Sequence, residues 1–461
     1  MSKFRQKMTA RAPAFFIAAA MLWTGLWTGV VAVTPAHAMT IERIVSPGGI
    51  EAWLVEEQAI PMIVMKVAWE GGSRVDPEDK AGVAHMVSGL LDEGAGPFGS
   101  QAFQARLDDL AIRLGFDADP DAFNATLQTL SENRREAFEM LRLAVTEPRF
   151  DSEPVERIRA QIRVTIARDD QDPDAIAARA WYRAALPDHE YARPSKGSAE
   201  SIDRIGVGDL KSYAKKTLAR DNMKIAVVGA IDAKTLGPLL DKTFGALPAK
   251  AEVPETPEAS VSPEPSVEVI ERPMPQSVVV FGLGGLKRQD PDFIPAYVMN
   301  YVLGGGGFSS RLMTEVREKR GLAYSVGTYL YPLHHAGLMI GQVATENARV
   351  AESLALIREE LRRLADNGIT AEELAAAKTY LTGSYPLNFD SNASIAGQLV
   401  GIQLENLGID YVDRRNGLIE AVTLEDIRRV ARRLIDPDRL IVTIVGEPAG
   451  IQSKMPEKPA E

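Results

Sequence analysis

The sequence predicts an α+β protein built from two homologous α/β-sandwich domains, and an internal repeat is the main reason. Shifting the chain by 214 residues superposes residues 71–77 on residues 285–291. Near the other ends of the repeat, residues 214–229 match residues 431–446 at a shift of 217. Two ends that match at almost one offset indicate a duplicated domain of about 200 residues.

A segment rich in Pro, Glu, Ser and Ala separates the two copies. Residues 249–276 are too polar and too interrupted by proline to form a core element, apart from a possible short strand at Val267–Ile270. We therefore expect an N-terminal domain over 39–248 and a C-terminal domain over 277–450. A disordered tail is expected over 451–461.

Each copy alternates between strand and helix patterns. Predicted strands are β-branched or alternating runs bounded by Gly, Pro or Asp, namely Ile63–Ala68, Ala122–Gln128, Ile225–Val228, Val278–Phe281, Gly337–Val343 and Ile441–Val445. Predicted helices show a 3.6-residue apolar period, namely Gly99–Leu110, Glu132–Val145, Pro154–Ala167, Val350–Asp366, Ala371–Tyr380 and Leu424–Leu434. Thr370 with Glu373, and Thr423 with Asp426, are typical of helix N-terminal capping boxes.

The first 38 residues have the pattern of a secretory signal peptide. A basic start without acidic residues precedes an apolar run from about Ala14 to Val33, and Ala36-His37-Ala38 offers a small-x-small cleavage site. We expect cleavage after Ala38 and no stable membrane association afterwards. The alternative is an uncleaved anchor, because the apolar run is long enough to span a bilayer.

Charge and cysteine content exclude several classes of function. Cleavage would remove four basic residues and leave 48 basic and 63 acidic ones, a net charge of about −15. Such a charge argues against nucleic acid or an anionic membrane surface as a partner. The chain has no cysteine, which excludes disulfides, thiolate zinc sites and thiol nucleophiles. Export without disulfides favours a bacterial periplasm.

One short motif resembles a metal site that has lost most of its ligands. In zinc peptidases of the inverted type, a helix carries His-x-x-Glu-His, in which two histidines bind zinc and the glutamate is the general base. His85 occupies the first position here, but Ser88 and Gly89 stand at the other two. A third ligand would come from a later helix, yet residues 161–168 contain no carboxylate. We therefore predict no metal on this chain.

The other histidines offer little catalytic chemistry. His189 lies in a turn-like segment, and the adjacent His334 and His335 precede a strand in what the sequence predicts is a surface loop. Neighbouring residues point apart on an extended backbone and chelate poorly. No Gly-x-Ser-x-Gly elbow, phosphate-binding lysine motif or dinucleotide fingerprint is present. An autonomous hydrolase using these histidines is the weakest alternative.

One group of residues in the second copy does have side chains suited to binding or catalysis. Four consecutive glycines (Gly304, Gly305, Gly306 and Gly307) lead through Ser309-Ser310 into a helix that bears Arg317, and Gly321 is expected to end this helix. Tyr324 then opens an extended stretch. Taken alone, the segment is as typical of a flexible loop with a charged face as it is of a functional site.

These motifs resemble those of the M16 metallopeptidase family, which includes pitrilysin, insulysin and mitochondrial processing peptidase. The resemblance covers nearly all of the chain after the leader, and the string at 316–325, VREKRGLAYS, is its most specific part. It implies a duplicated LuxS/mitochondrial processing peptidase-like fold that forms half of a clamshell chamber. It also implies that Arg317 and Tyr324 contact substrate near the scissile bond, with Gly304–Gly307 guiding substrate.

The departure from the family at the metal implies a division of labour. Small-subunit members of the family form heterodimers, in which one chain carries zinc and the other carries the Arg/Tyr pair. This chain has the second pattern. The resemblance therefore implies a non-catalytic subunit of a periplasmic zinc endopeptidase, inactive alone, with Zn²⁺ on a homologous partner that carries His-x-x-Glu-His and acts on peptides. The alternative is an inactive scaffold or peptide-binding protein.

Overall fold

Strands that are buried on both faces organise each half of the molecule. In the computed structural model, which describes residues 39–454, the strand Met62–Glu70 and its repeat Gln276–Gly284 present buried side chains to both sides of their sheets. Continuous apolar runs of this kind are typical of strands that other layers cover on both faces. The fold supplies those layers with helices.

The first half contains eight strands and eight helices among the described residues. The strands are β1 (Glu42–Val45), β2 (Glu51–Glu56), β3 (Met62–Glu70), β4 (Gly94–Ala95), β5 (Phe98–Gly99), β6 (Arg113–Ala118), β7 (Ala122–Leu130) and β8 (Met223–Gly229). The helices are α1 (Val83–Ser88), α2 (Ser100–Asp109), α3 (Arg134–Thr146), α4 (Ser152–Asp169), α5 (Pro173–Ala185), α6 (Ala199–Arg204), α7 (Val207–Thr217) and α8 (Ala233–Phe244).

The second half repeats most of these elements. Its strands are β9 (Ser266–Glu271), β10 (Gln276–Gly284), β11 (Ala323–Pro332), β12 (Gly337–Glu346) and β13 (Ile441–Gly446). Its helices are α9 (Phe293–Asn300), α10 (Val350–Asn367), α11 (Ala371–Gly383), α12 (Asn392–Leu404), α13 (Tyr411–Ala421) and α14 (Leu424–Leu434). Two π-helical turns, Tyr301–Gly305 and Met313–Glu318, follow α9.

The two sheets have the same strand order, which confirms the duplication. The first sheet runs β6-β7-β3-β8-β2-β1, and the second runs β11-β12-β10-β13-β9. β3 and β10 are the equivalent antiparallel centres, while β2 with β8 and β9 with β13 are the equivalent parallel pairs. The predicted α+β fold of two homologous domains is therefore correct.

Equivalent helices of the two halves are exchanged between the sheets. α5, from the first half, packs on β10 and β13, and α12, from the second half, packs on β3 and β8. Trp181 of α5 reaches into the core under the second sheet with Val278 and Leu338. Both halves belong to one compact unit that begins at Ile41. Each sheet is thus completed by a helix from the other half.

The predicted elements agree closely with the structure, and a few segments differ. All six predicted strands and all six predicted helices are present, with ends within a few residues, and both capping boxes form. The helix expected after Ser309-Ser310 is largely a π-helical turn, in which the Lys319 amide donates to the carbonyl of Thr314 at 3.0 Å. The extra residue in each turn shifts the direction of the side chains.

Backbone pairing occurs both in the segment between the halves and at the start of the tail. β9 lies within 249–276, as the possible strand at Val267–Ile270 suggested, and pairs in parallel with β13. Lys454 pairs with Val267 through two backbone hydrogen bonds of 2.7 and 2.8 Å, so the prediction of disorder does not hold at that residue. The predicted leader (1–38) and residues 455–461 lie outside the described residues. In the described part of the chain, no helix is long and apolar enough to cross a membrane.

Candidate functional site

Asp76 shapes the start of α1, the helix that carries the incomplete metal motif. Its carboxylate accepts hydrogen bonds from the backbone amides of Gly82 at 2.8 Å and Ala84 at 3.0 Å. Gly82 has φ of 101°, a left-handed conformation that favours glycine. Burial raises the pKa of Asp76 to about 7. Asp76 therefore positions the helix by satisfying amides that the helix itself leaves free.

The metal positions on α1 are occupied by packing and backbone contacts. His85 is half-buried, and burial lowers its pKa, with Lys196 adding to the effect. The buried Ser88 hydroxyl donates to the carbonyl of His85 at 2.9 Å. A β-carbon at Gly89 would lie 3.2 Å from Cγ2 of Ile158, so a histidine there would displace its neighbour.

The helix opposite α1 provides no ligands either. α4 contributes Ile158, Ile162 and Ile166 to the same hydrophobic core as α1. Its Arg163 pairs with Asp203 at 3.5 Å, so this position of α4 carries a cation where a metal site would need a carboxylate. Across residues 39–454, no group of three or more His, Asp or Glu side chains is placed to hold a metal ion. Zinc therefore does not fit the residues of this chain at the motif.

The rings of His189 and His335 contact the segment that joins the two halves. The ring of His189 lies 3.0 Å from the carbonyl of Pro257 through Nε2 and accepts the Tyr191 amide at 3.1 Å through Nδ1. His335 lies 3.3 Å from the Glu258 carboxylate, and burial, with Arg74 nearby, lowers its pKa. The ring contacts are a carbonyl, an amide and a carboxylate, so these histidines act as structural links.

The loop of His334 and His335 is half-buried against the first half rather than lying free on the surface. The His334 amide donates to Asp121 at 3.0 Å, and the His335 amide donates to the Tyr191 hydroxyl at 3.2 Å. Asp121 also accepts the Tyr191 hydroxyl at 2.5 Å and lies 3.3 Å from Arg74, whose side chain is 8% exposed. This buried polar cluster joins the halves.

Arg317 lies between the rings of Tyr324 and Phe308. The Cζ atom of Arg317 lies 4.5 Å from the ring centre of Phe308 and 5.3 Å from that of Tyr324. Tyr324 is 85% exposed and Phe308 is 66% exposed. A guanidinium between two aromatic faces is held by cation–π attraction while its N–H groups stay available.

The charge of Arg317 is not neutralised within the chain, in contrast to its neighbours. Lys319 and Arg320 both fold back onto Glu315, at 2.6 and 2.7 Å, and Arg311 forms a two-pronged pair with Glu373. Among residues 39–454, no carboxylate lies within ion-pair distance of Arg317. This guanidinium therefore presents free hydrogen-bond donors at an exposed surface.

The glycine run has a structural reason that the sequence only partly reveals. A β-carbon at Gly304 would lie 2.6 Å from the backbone nitrogen of Thr328, so this buried glycine permits close packing on β11. Gly307 needs its positive φ of 56°, and the next residue is Phe308. Gly305 and Gly307 are exposed, whereas Gly304 is buried and has no surface to offer a substrate. The conformation of the glycine run therefore allows the ring of Phe308 to pack against Arg317.

Phe308 is the site residue that the sequence analysis missed. Its only signal was an aromatic side chain placed directly after glycines in a surface loop. The tyrosine ring of Tyr301 lies beside Gly306 and stacks on Tyr380 at 5.2 Å. Aromatic side chains thus continue along the surface on both sides of the glycine run.

Comparison with known proteins agrees with the fold and with the incomplete motif. Residues 58–198 match the model for insulinase (peptidase family M16), and residues 204–381 match the model for the peptidase M16 inactive domain. A non-peptidase homolog, YmxG, from Helicobacter pylori is 26% identical and covers 91% of this chain and 97% of its own. An uncharacterized zinc protease from Mycobacterium bovis is 28% identical and covers 92% and 97%.

Solved structures give the same result. The crystal structure of a peptidase M16 inactive domain from Pseudomonas fluorescens has a TM-score of 0.83 at 28% identity and covers 91% of this chain and all of its own. A protease from Helicobacter pylori has a TM-score of 0.80 at 18% identity, which supports the fold alone. Both family models and the duplicated fold lead to one conclusion: the chain belongs to the M16 insulinase family of peptidases, in a form that lacks the zinc motif.

Proposed function

We propose that this chain is the non-catalytic subunit of a heterodimeric M16 zinc endopeptidase. It supplies Arg317 and Tyr324 to the active site of a homologous partner, which carries His-x-x-Glu-His and acts on peptides. The observation that carries the proposal is the half-buried Arg317, whose guanidinium lies between the exposed rings of Phe308 and Tyr324 and has no carboxylate partner among the described residues.

The chemistry of the site suits a supporting role in peptide hydrolysis. Attack on a peptide carbonyl places negative charge on its oxygen, and preorganised N–H and O–H donors stabilise that charge. Arg317 and Tyr324 are such donors, and the stacked rings hold the guanidinium before substrate arrives. The partner would supply the metal and its activated water. This chain's residues would bind the peptide and orient its carbonyl.

The family relationship supports the absence of an independent activity. Ser88 and Gly89 replace the general base and the second ligand, and α4 faces α1 with isoleucines. Residues 204–381 match a domain described as inactive, and one relative is described as a non-peptidase homolog. A partner with the complete motif would supply the metal ligands and the general base that this chain lacks.

Reconstitution of the two subunits tests the proposal. We expect this chain alone to bind no stoichiometric zinc and to cleave no peptide, whereas a mixture with an exported homologue carrying His-x-x-Glu-His cleaves an unfolded peptide. Arg317→Ala should lower kcat/KM of the mixture at least about 100-fold. Arg362→Ala is the matched control, because Arg362 lies on α10 and pairs with Asp438 at 3.0 Å. Full activity with Arg317→Ala would refute the role of this residue.

The second candidate is a peptide-binding scaffold without a catalytic partner. A chain of Complex III2 from Candida albicans has a TM-score of 0.73 at 15% identity, so the fold also occurs in an assembly. A scaffold would bind peptide without stimulating cleavage by any zinc-bearing homologue. Peptide binding that is unchanged by Arg317→Ala, together with an inert mixture, would favour this candidate over the first.

Export to the periplasm is part of the proposal. The basic start, the apolar run and Ala36-His37-Ala38 support cleavage after Ala38. Fractionation of cells that express the tagged chain should place it in the periplasm with Met39 as its first residue. A chain that stays with the membrane at its full length would contradict this prediction.

A further inference from the structure

A large aromatic cavity lies in the second half, apart from Arg317 and Tyr324. It has a volume of about 640 Å³ and is enclosed by α9, the first π-helical turn, β11, α12 and α13. Six aromatic side chains line it: Phe293, Tyr297, Tyr301, Tyr329, Tyr385 and Tyr411. Polar side chains, among them Asn300, Gln398 and Arg415, lie between the rings, and concave sites that combine apolar walls with placed polar groups are typical of ligand sites.

Two arginines in the wall are held by aromatic rings instead of carboxylates. The Cζ atom of Arg288 lies 4.4 Å from the ring centre of Phe293 and 5.2 Å from that of Tyr411, whose hydroxyl accepts a hydrogen bond from this arginine. Arg415 is buried, lies 4.2 Å over Tyr385, and donates to the Leu381 carbonyl at 2.6 Å. Both guanidiniums are therefore fixed in place.

The charge of these arginines is not balanced within the described residues. No carboxylate from 39–454 lies within 4 Å of a side-chain nitrogen of Arg288 or Arg415. Glu405 is the one acidic side chain in the cavity wall, and it accepts from Gln289 at 3.2 Å. Burial raises the pKa of Glu405 although the nearby charges of His334 and Arg288 oppose this shift, so Glu405 is a weak counter-ion for Arg288. A desolvated cation without a partner is costly, which favours an anionic ligand.

We propose that this cavity binds a carboxylate attached to an apolar or aromatic group, as found in a short peptide. The guanidiniums of Arg288 and Arg415 would bind the carboxylate, and the rings would pack against the apolar part. Arginine suits planar carboxylates because its N–H donors form a rigid fork. The carboxylate could belong to the C-terminus of the peptide or to an acidic side chain, and both have the same chemistry.

The cavity also adjoins the surface around the glycine run. Tyr301 and Gly305 belong to its wall, and Tyr301 lies beside Gly306, two residues before Phe308. A peptide held in the cavity could therefore extend toward Arg317. The inference does not depend on this continuity or on a catalytic partner, because binding is measured on the chain alone.

Calorimetric titration of the purified protein tests the inference with three probes. These are N-acetyl-Ala-Leu-Phe with a free carboxylate, the same peptide as its C-terminal amide, and N-acetyl-Glu-Leu-Phe amide. We expect the free acid to bind at least about 10-fold more tightly than its amide. Equal or stronger binding of the glutamate peptide would assign the carboxylate to a side chain. Equal affinities for all three probes would overturn the proposal.

Variants locate the binding within the cavity. Arg288→Gln should weaken the preferred carboxylate probe at least about 10-fold, and Arg362→Gln on α10 should leave its affinity unchanged. Arg415 is buried and hydrogen-bonded to the Leu381 carbonyl, so its replacement would also disturb the fold. Tyr411→Phe therefore serves as the second cavity variant and should weaken binding less. Arg317→Gln separates the two proposals, because it should affect the mixed peptidase and spare this binding. Unchanged affinity in both Arg288→Gln and Tyr411→Phe would refute the site.

Discussion

Trp181 donates its indole N–H to the carbonyl oxygen of Ile441 at 3.2 Å, across 260 residues of sequence and from one half of the molecule to the other. Gln403 makes the reciprocal contact, because its side-chain amide donates to the carbonyl of Ile225 at 3.0 Å. Ile225 and Ile441 belong to the equivalent strands β8 and β13. Each exchanged helix thus forms one side-chain hydrogen bond to the corresponding strand of the opposite sheet.

Gly282→Ala should destabilise the protein by about 2–3 kcal/mol. The new β-carbon would lie 2.5 Å from Cζ2 of Trp181 and 2.5 Å from the carbonyl oxygen of Met339, and overpacking of this kind costs a few kcal/mol. Denaturant unfolding measures the change. Gly417→Ala is the control, because nothing lies within 4 Å of that β-carbon in a helix, and it should stabilise by up to about 1 kcal/mol. Equal effects would contradict the packing argument.

The halves should not fold independently. A fragment of residues 39–248 would expose the faces of β3 and β8 that α12 covers, and a fragment of 249–454 would expose those of β10 and β13 that α5 covers. We expect each fragment alone to melt without a cooperative transition and the two mixed fragments to regain one. Near-ultraviolet circular dichroism and thermal melting follow the recovery. A cooperative melt of either fragment alone would disprove this dependence.

Asp76 should make stability depend on pH in a predictable direction. Burial raises its pKa to about 7, whereas an aspartate in the unfolded chain titrates near 4. The folded protein therefore binds the proton more tightly, and the stability that Asp76 contributes falls as pH rises from about 4 to 7. Relative to Asp76→Asn, the wild type should lose at most about 4 kcal/mol over this range.

Unfolding of the two Asp76 proteins at matched pH values measures this difference. Desolvation also raises the pKa values of Asp92 and Asp119, and these residues are present in both proteins, so subtraction removes their effect. A difference between wild type and Asp76→Asn that stays constant from pH 4 to 7.5 would show that Asp76 does not titrate in this range.

Phe308 should support the function of Arg317 through its ring. Phe308→Ala would remove one of the two aromatic faces that hold the guanidinium, so kcat/KM of the mixed peptidase should fall about five-fold. Phe308→Tyr keeps a ring and should retain most of the activity. Leu387→Ala is the control, because Leu387 is another exposed apolar residue of the same half, at 73% exposure. A loss of activity as large in Leu387→Ala would indicate a nonspecific surface effect.

Gly304→Ala and Gly307→Ala should differ in their effects. At Gly304 the β-carbon would meet backbone atoms of β11, which have little freedom to move, so the glycine run should shift and carry Phe308 away from Arg317. At Gly307 the space is open and the cost is confined to the positive φ, about 1 kcal/mol. Melting temperature and kcat/KM of the mixed peptidase compare the two. A milder effect of Gly304→Ala would contradict the close packing.

The repeat, the strands and the Arg317–Tyr324 pair could be predicted because each has a local signature. β3 and β10 are long apolar runs, and the capping boxes at Thr370 and Thr423 fix where helices begin. The exchange of α5 and α12 left no such signature. The apolar stripe of α12 contains Gly397 and ends in the polar Gln403, whose hydrogen-bond partner lies 178 residues away.

The site residues divide in the same way. Arg317 and Tyr324 are seven residues apart in a characteristic string, whereas the approach of Phe308 depends on two π-helical turns that no residue type specifies. The buried cluster of Arg74, Asp121 and Tyr191 also escaped prediction. Its three members are far apart in the sequence of the first half, and the backbone amides of His334 and His335 reach them from the second half.

The exchange of α5 and α12 has a consequence for assembly. If the two halves were separate chains, each sheet would be completed only by a helix from the other chain. Folding would then depend on the concentration of the chains. In this chain the segment 249–276 ties the halves together and makes that encounter intramolecular, at an effective concentration on the order of millimolar. The molecule therefore completes both sheets at any dilution.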